Sequence, residues 1–312
     1  MRVLRFRRPA DHSDRVGILL SQEDPSLEVF EVADLTDLIP GVSEPFDVAC
    51  VAAVDPALLQ RGVERAAHAE IRFEQVMAPV PHPRKFFGIG YNYRAHAEEA
   101  GAAVGTFPLF FNKQTTCVSG PREDVPLPAG CQQLDYEGEL AFMVGRRCRN
   151  VPVGRASEVI SAWLACNDIS ARDWQRETPT VTMGKSHDGF GPTGPWLVTP
   201  DELADPHDLM IRTTVNGEQR QLGSTRDMTY NVYEQVAALT SRCTLEPGDL
   251  VTTGSPPGSA QGLAQPDWLK VWDVVRVEVE GIGALENRVV ADSGETFIAP
   301  LALMSEEMTT IR

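Results

Sequence analysis

The chain has 312 residues, 42% of them apolar, which is enough to bury one large core or two modest ones in a globular protein. A formal charge of −16 and a pI near 4.8 argue against nucleic-acid phosphates or an anionic membrane as the main partner; a metal-bound anion stays compatible, because a site's local field need not follow the net charge. Six cysteines, Cys50, Cys117, Cys131, Cys148, Cys166 and Cys243, form no C-x-x-C pair and no metal-like spacing, so reduced thiols in a cytoplasmic compartment are expected. The basic start, Arg2, Arg5, Arg7 and Arg8, lacks the apolar stretch of a secretion signal, and no apolar run reaches membrane-spanning length.

In chain order, Val3–Phe6, Val16–Leu20 and Glu28–Val32 read as strands and Pro56–His68 as a helix. Ala78-Pro79-Val80-Pro81-His82-Pro83 cannot be helical, since each proline removes a donor and restricts the residue before it. It sets the expected boundary between a small N-terminal domain, 1–78, and a larger unit, 79–312, that carries the chemistry. Lys85–Gly90 is a short strand, and Tyr93 opens a helix that Gly101 stops. The glycines of Gly88-Ile89-Gly90 do not complete a dinucleotide fingerprint. His96 and Glu99 stand at i and i+3 on one helical face, where a carboxylate would raise imidazole basicity. The aromatic run Phe107–Phe111 suits a core or a pocket wall. Lys113 reads as an exposed charge, with a place in the site as the alternative.

The densest chemical signal is Leu134-Asp135-Tyr136-Glu137-Gly138-Glu139, running into the alternating Leu140–Val144 and the turn at Gly145. In a strand, residues i and i+2 share a face, so Glu137 and Glu139 point the same way and repel unless a cation lies between them. A divalent ion with hard oxygen ligands is one reading; a solvated, charged strand edge is the other. Asp168 adds a third acid, at the end of an amphipathic helix expected over Val159–Cys166. Three carboxylates around a divalent ion would leave one excess negative charge, so an anionic substrate needs cationic help, for which Lys185 and Arg172 are the candidates. Adjacent Ser186-His187-Asp188 cannot easily converge as a triad, and no G-x-S-x-G elbow occurs.

Strands return at Pro195–Val198 and Leu209–Asn216, with Asn216-Gly217 as a hairpin turn, followed by a helix over Thr229–Thr240. Leu250–Thr253, Val274–Val279 and Ala284–Val290 complete the set. Strands outnumber helices without a repeating βαβ order, which indicates a β-rich, mixed α+β domain.

Several motifs in this order resemble the fumarylacetoacetate hydrolase superfamily, in particular its acylpyruvate hydrolase and hydroxyheptadienedioate isomerase-like branch. They are Phe87-Gly88-Ile89-Gly90-Tyr91-Asn92-Tyr93-Arg94-Ala95-His96, Asp135–Leu140, Asn167-Asp168-Ile169-Ser170-Ala171-Arg172-Asp173, Gly184-Lys185-Ser186, Gly254-Ser255-Pro256 and Val279–Gly283, spanning about Arg84 to Val290. The resemblance implies a β-sandwich-like roll and a homodimer. It implies that Glu137, Glu139 and Asp168 hold Mg²⁺, or Mn²⁺ or Ca²⁺, and that His96 with Glu99 activates water on a lid-like segment. Lys185 would lie near the metal, Arg172 and Gln175 towards the substrate. Ser255, where the family usually has Thr, would offer a hydroxyl and backbone N–H groups to the substrate carboxylate. The expected reaction is metal-dependent hydrolysis of a C–C bond in a β-diketo or acylpyruvate-type acid. The same site could instead serve a 2-oxo acid decarboxylase, a hydroxy-dienedioate isomerase or a ureidoglycolate-type lyase. Ser259-Ala260-Gln261-Gly262-Leu263-Ala264-Gln265-Pro266 departs from the family pattern, where the substrate's distal end is expected.

Overall fold

The computed structural model describes residues 1–20, 28–38, 56–102, 105–295 and 298. The strands are β1 Arg2–Arg7, β2 Asp14–Leu19, β3 Val29–Asp34, β4 Ala67–Arg72, β5 Val76–Met77, β6 Phe86–Gly90, β7 Leu109–Lys113, β8 Val118–Ser119, β9 Val125–Leu127 and β10 Leu134–Asp135. They continue with β11 Gly138–Val144, β12 Ile160–Asn167, β13 Ser170–Ala171, β14 Gly191–Val198, β15 Met210–Val215, β16 Glu218–Ser224, β17 Leu250–Thr252, β18 Val274–Val279 and β19 Gly283–Ala291. One large mixed sheet runs β4-β3-β2-β1-β14-β12-β11-β17-β6-β7, and a second runs β16-β15-β18-β19-β9. The fold is thus β-rich α+β, as the strand-dominated sequence predicts.

The N-terminal strands extend the large sheet: β1 pairs antiparallel with β14 through Arg2↔Val198 and Val3↔Leu197. Phe30 of β3 meets the buried Trp196 of β14 edge-on, with ring centroids 5.8 Å apart. The helix expected over Pro56–His68 ends at Val63, and Ala67–Arg72 pairs with β3 instead.

β11 is buried along its whole length because it is sandwiched. On one side it faces the second sheet, where a Cβ on Gly138 would overlap Thr213 Oγ1 and lie 3.1 Å from Val277, so only glycine allows that approach. Alternation then turns Glu137 and Glu139 to the other face. Its neighbour β12 corrects a sequence expectation: Val159–Cys166 does not form an amphipathic helix, because Ile160–Asn167 is an antiparallel partner of β11. Every residue of β12 is buried, so no polar face marks its period. Among the described residues no helix is long and apolar enough to cross a membrane. Cys50 lies outside the described residues, and the other five cysteines are free thiols.

Candidate active site

Strand register brings the three acids together. Gly138 stands opposite Asn167, and the Asp168 N–H donates to the Glu137 carbonyl at 2.8 Å, so Glu137 and Asp168 are cross-strand neighbours with Glu139 one step along the same face. Carboxylate oxygens of Glu137, Glu139 and Asp168 all lie within 4.8 Å of one another, and each residue is buried.

Their electrostatic situations differ. Glu137 Oε1 accepts from the Arg172 guanidinium at 2.5 Å and Oε2 from Lys185 Nζ at 2.6 Å. Burial favours its neutral acid, but Arg172 and Lys185 outweigh burial and hold its pKa well below the ordinary carboxylate range. Asp168 accepts from Lys113 Nζ at 2.5 Å on one oxygen and from Lys185 Nζ at 2.7 Å on the other. Glu139 accepts from the Gly254 amide at 2.8 Å, and no ammonium or guanidinium among the described residues forms an ion pair with it. Burial, reinforced by Asp168 and Glu137, pushes its carboxyl well above the ordinary range. A buried carboxylate without a countercharge, in an all-oxygen set, fits a divalent cation of the Mg²⁺, Mn²⁺ or Ca²⁺ type.

Lys113 is therefore not an exposed charge. It is buried to 2% exposure, donates to Asp168 and to the carbonyls of Lys185 and Phe190, and its pKa is raised because Asp168 outweighs the penalty of burial. Arg172 donates from Nε to Asp135 at 2.9 Å as well as to Glu137, and from Nη1 to Gln175 Oε1 at 2.9 Å. Asp135, to which the sequence reading gave no role, also accepts the amides of Ala260 and Gln261 at 2.7 and 3.2 Å. It thereby ties the divergent 259–266 stretch to the acidic cluster. Gly184, beside Lys185, allows close contact with the Arg172–Gln175 turn, since a Cβ there would lie 2.5 Å from the Gln175 backbone nitrogen.

His96 and Glu99 lie on the helix Arg94–Glu99, above this cluster. His96 Nε2 is 3.5 Å from Glu137 Oε1 and its Nδ1 is 3.9 Å from Glu99 Oε2, beyond hydrogen-bond distance, so that buried Nδ1 has no partner. Burial disfavours the imidazolium, yet the Glu137 and Glu99 carboxylates more than offset this and raise its pKa. Glu99 also accepts the Gly258 amide at 2.9 Å, bridging the helix to the loop that follows Ser255. Ser255 reaches the cavity, but its hydroxyl is already engaged, accepting from Gln221 Nε2 at 2.7 Å and donating to the Gly138 carbonyl at 3.2 Å.

Of these groups, His96, Glu137, Arg172, Gln175, Lys185 and Ser255 line one cavity of about 310 Å³. Tyr91 and Val181 also line it and both hold φ of 55°. For a β-branched valine this left-handed conformation costs about 1–3 kcal/mol, a kind of strain that concentrates at functional sites.

Residues 85–290 match the family described as fumarylacetoacetate (FAA) hydrolase, C-terminal. Among solved structures, a fumarylacetoacetate hydrolase from the psychrophile Exiguobacterium antarcticum is 33% identical, with TM-score 0.80 over 94% of this chain and 100% of that one. Maleylpyruvate hydrolase from Sphingobium sp. SYK-6, in complex with manganese(II) and pyruvate, is 28% identical, with TM-score 0.75 over 93% and 99% of the two chains. A 2-hydroxyhepta-2,4-diene-1,7-dioate isomerase from Mycobacterium marinum is 29% identical, with TM-score 0.71 over 95% and 100%. With two-thirds of its length matching the family and the acidic trio assembled on its strands, this chain belongs to the fumarylacetoacetate hydrolase family.

Proposed function

We propose that the chain is a divalent-metal-dependent hydrolase that cleaves a C–C bond in a β-diketo acid of the acylpyruvate type. The observation that carries this reading is the Glu139 carboxylate, which has no ion-pair partner among the described residues and is grouped with Asp168 and Glu137, the last of which lines one cavity with His96 and Lys185. Glu137, Glu139 and Asp168 would hold the ion, with Mg²⁺ as the expected native metal; when bound it acts as a Lewis acid that favours negative charge developing on substrate oxygens. The Sphingobium relative binds manganese(II) and pyruvate, and pyruvate is the keto-acid fragment that this reaction releases.

The chain's own residues have distinct tasks. Lys113 and Arg172 fix Asp168 and Glu137, so these two carboxylates are held in place before substrate arrives. His96 takes a proton from water, and Glu99 stabilises the resulting imidazolium from the Nδ1 side. The hydroxyl adds to the distal carbonyl carbon, and the bond from that carbon to the central methylene breaks. Its electron pair stays on the pyruvate fragment as an enolate, which the Lys185 ammonium stabilises until a proton arrives. Products are one carboxylic acid and pyruvate.

The test is a panel of acylpyruvates and oxaloacetate with Mg²⁺ or Mn²⁺, followed by loss of enol absorbance and product identification. Pyruvate and the free acid in equal amounts are expected, with activity lost on chelation. Turnover that survives exhaustive chelation would overturn the reading. The isomerase relative favours a second reading, in which the same base moves a proton without attack by water. Deuterium entering recovered substrate in D₂O, with no cleavage, would select it.

A further inference from the structure

Cationic groups in the cavity are confined to its catalytic end. His96, Arg172 and Lys185 are the cationic residues among those lining it, and each sits on one carboxylate, at 3.5, 2.5 and 2.6 Å from Glu137 oxygens. Arg172 and Lys185 are each engaged a second time, by Asp135 and Asp168. The rest of the lining is neutral: Leu109, Phe110 and Val181 supply apolar surface, and the amides of Asn112 and Gln261 supply uncharged donors and acceptors. The stretches outside the described residues hold no lysine or histidine and one arginine, Arg312.

We infer, resting on the hydrolase reading above, that the end of the substrate remote from its 2-oxo acid group is uncharged: the cavity selects mono-acids with an apolar acyl arm and rejects diacids with a second carboxylate there. A distal carboxylate would give up water against this wall and gain no cation in return. The chain's charge of −16 adds a repulsive field. An alkyl arm gains from leaving water beside Leu109, Phe110 and Val181, and the Asn112 or Gln261 amide can meet a neutral carbonyl or hydroxyl.

The experiment uses the full chain with Mn²⁺ and compares kcat/KM for acetylpyruvate and hexanoylpyruvate with that for maleylpyruvate. A preference for the mono-acids on the order of a hundredfold is expected. Leu109 is 58% exposed at the cavity, so Leu109→Arg adds a cation on the neutral wall without burying it, and should improve the diacid relative to the mono-acids by about tenfold. Equal or better turnover of the diacid by the wild type would overturn the inference and leave the hydrolase reading intact; so would a Leu109→Arg protein whose preference is unchanged. If no acylpyruvate is cleaved, it is the hydrolase reading that fails. Thermal shifts of the Mn²⁺-loaded protein with the same compounds then read the wall without turnover, and a larger shift from the diacid overturns the selectivity.

Discussion

Glu139→Gln separates a carboxylate that awaits a cation from one that the fold already neutralises. Glutamine keeps an acceptor for the Gly254 amide and removes a charge that is 1% exposed and has no ion-pair partner among the described residues. Without metal the variant should be more stable than wild type at neutral pH, by about 1 kcal/mol or more, because the amide needs no proton to be buried whereas the wild-type carboxyl, ionised in the unfolded chain, is disfavoured as a carboxylate in the fold. Since the folded-state pKa lies above that of the unfolded chain, the penalty grows as pH rises from the unfolded value through the folded one, so the gap should narrow in acid. Metal at a hundred times its Kd would stabilise the wild type by about 2.7 kcal/mol, or about 5 °C in Tm for a chain of this size. In the variant that shift should nearly vanish. Glu137→Gln should behave oppositely without metal, losing about 3–5 kcal/mol, because it breaks two buried ion pairs and leaves Arg172 and Lys185 with one carboxylate each, Asp135 and Asp168. Thermal and urea melts in EDTA and in Mn²⁺ measure both quantities. A metal-free Glu139→Gln protein as damaged as Glu137→Gln, or an undiminished metal shift, would refute the reasoning.

Lys113→Met should cost about 3–5 kcal/mol in urea melts, since it leaves Asp168 with one ammonium instead of two and removes a donor from the Lys185 and Phe190 carbonyls. Gly138→Ala, pressing on Thr213 and Val277 between the sheets, should lose about 1–3 kcal/mol by the same assay with the spectroscopic strand content retained. The His96 ring, against opposing burial and together with the Gly258 amide, holds the Glu99 carboxyl below its ordinary value. Its stabilisation is therefore present above the unfolded pKa and lost as pH falls through the folded one. The protection of the Gly258 amide against hydrogen exchange, taken relative to its intrinsic rate at each pH, should fall on acidification, and Glu99→Gln should remove that pH dependence.

How much of the site was legible depended on how local each signal is. Glu137 and Glu139 share a face because of an i, i+2 spacing, and His96 approaches Glu99 because of an i, i+3 spacing; both are readable from the chain itself. Asp168 is legible as an acid of the site, but the sequence pattern points to a helix where a strand supports it. Strand β12 is buried on both faces, and a run buried all round carries no period by which strand and helix can be told apart. Lys113 looks exposed in sequence because its burial is set by groups 55 to 77 residues away, and nothing beside it announces a partner. Asp135 stood next to the acidic motif, yet its role depends on Arg172 and on two amides at 260 and 261. Ser255 was legible as a cavity residue, whereas the engagement of its hydroxyl by Gln221 and Gly138 required the packed sheets.

The grip of Asp135 on residues 260 and 261 is made entirely through main-chain N–H groups. Nineteen of the twenty amino acids carry such a group, proline being the exception. Mutation can therefore exchange the side chain of the partly exposed Gln261, which lines the cavity, while its anchorage persists; Ala260 is fixed as well by its burial, so variation at this point of the rim falls to residue 261.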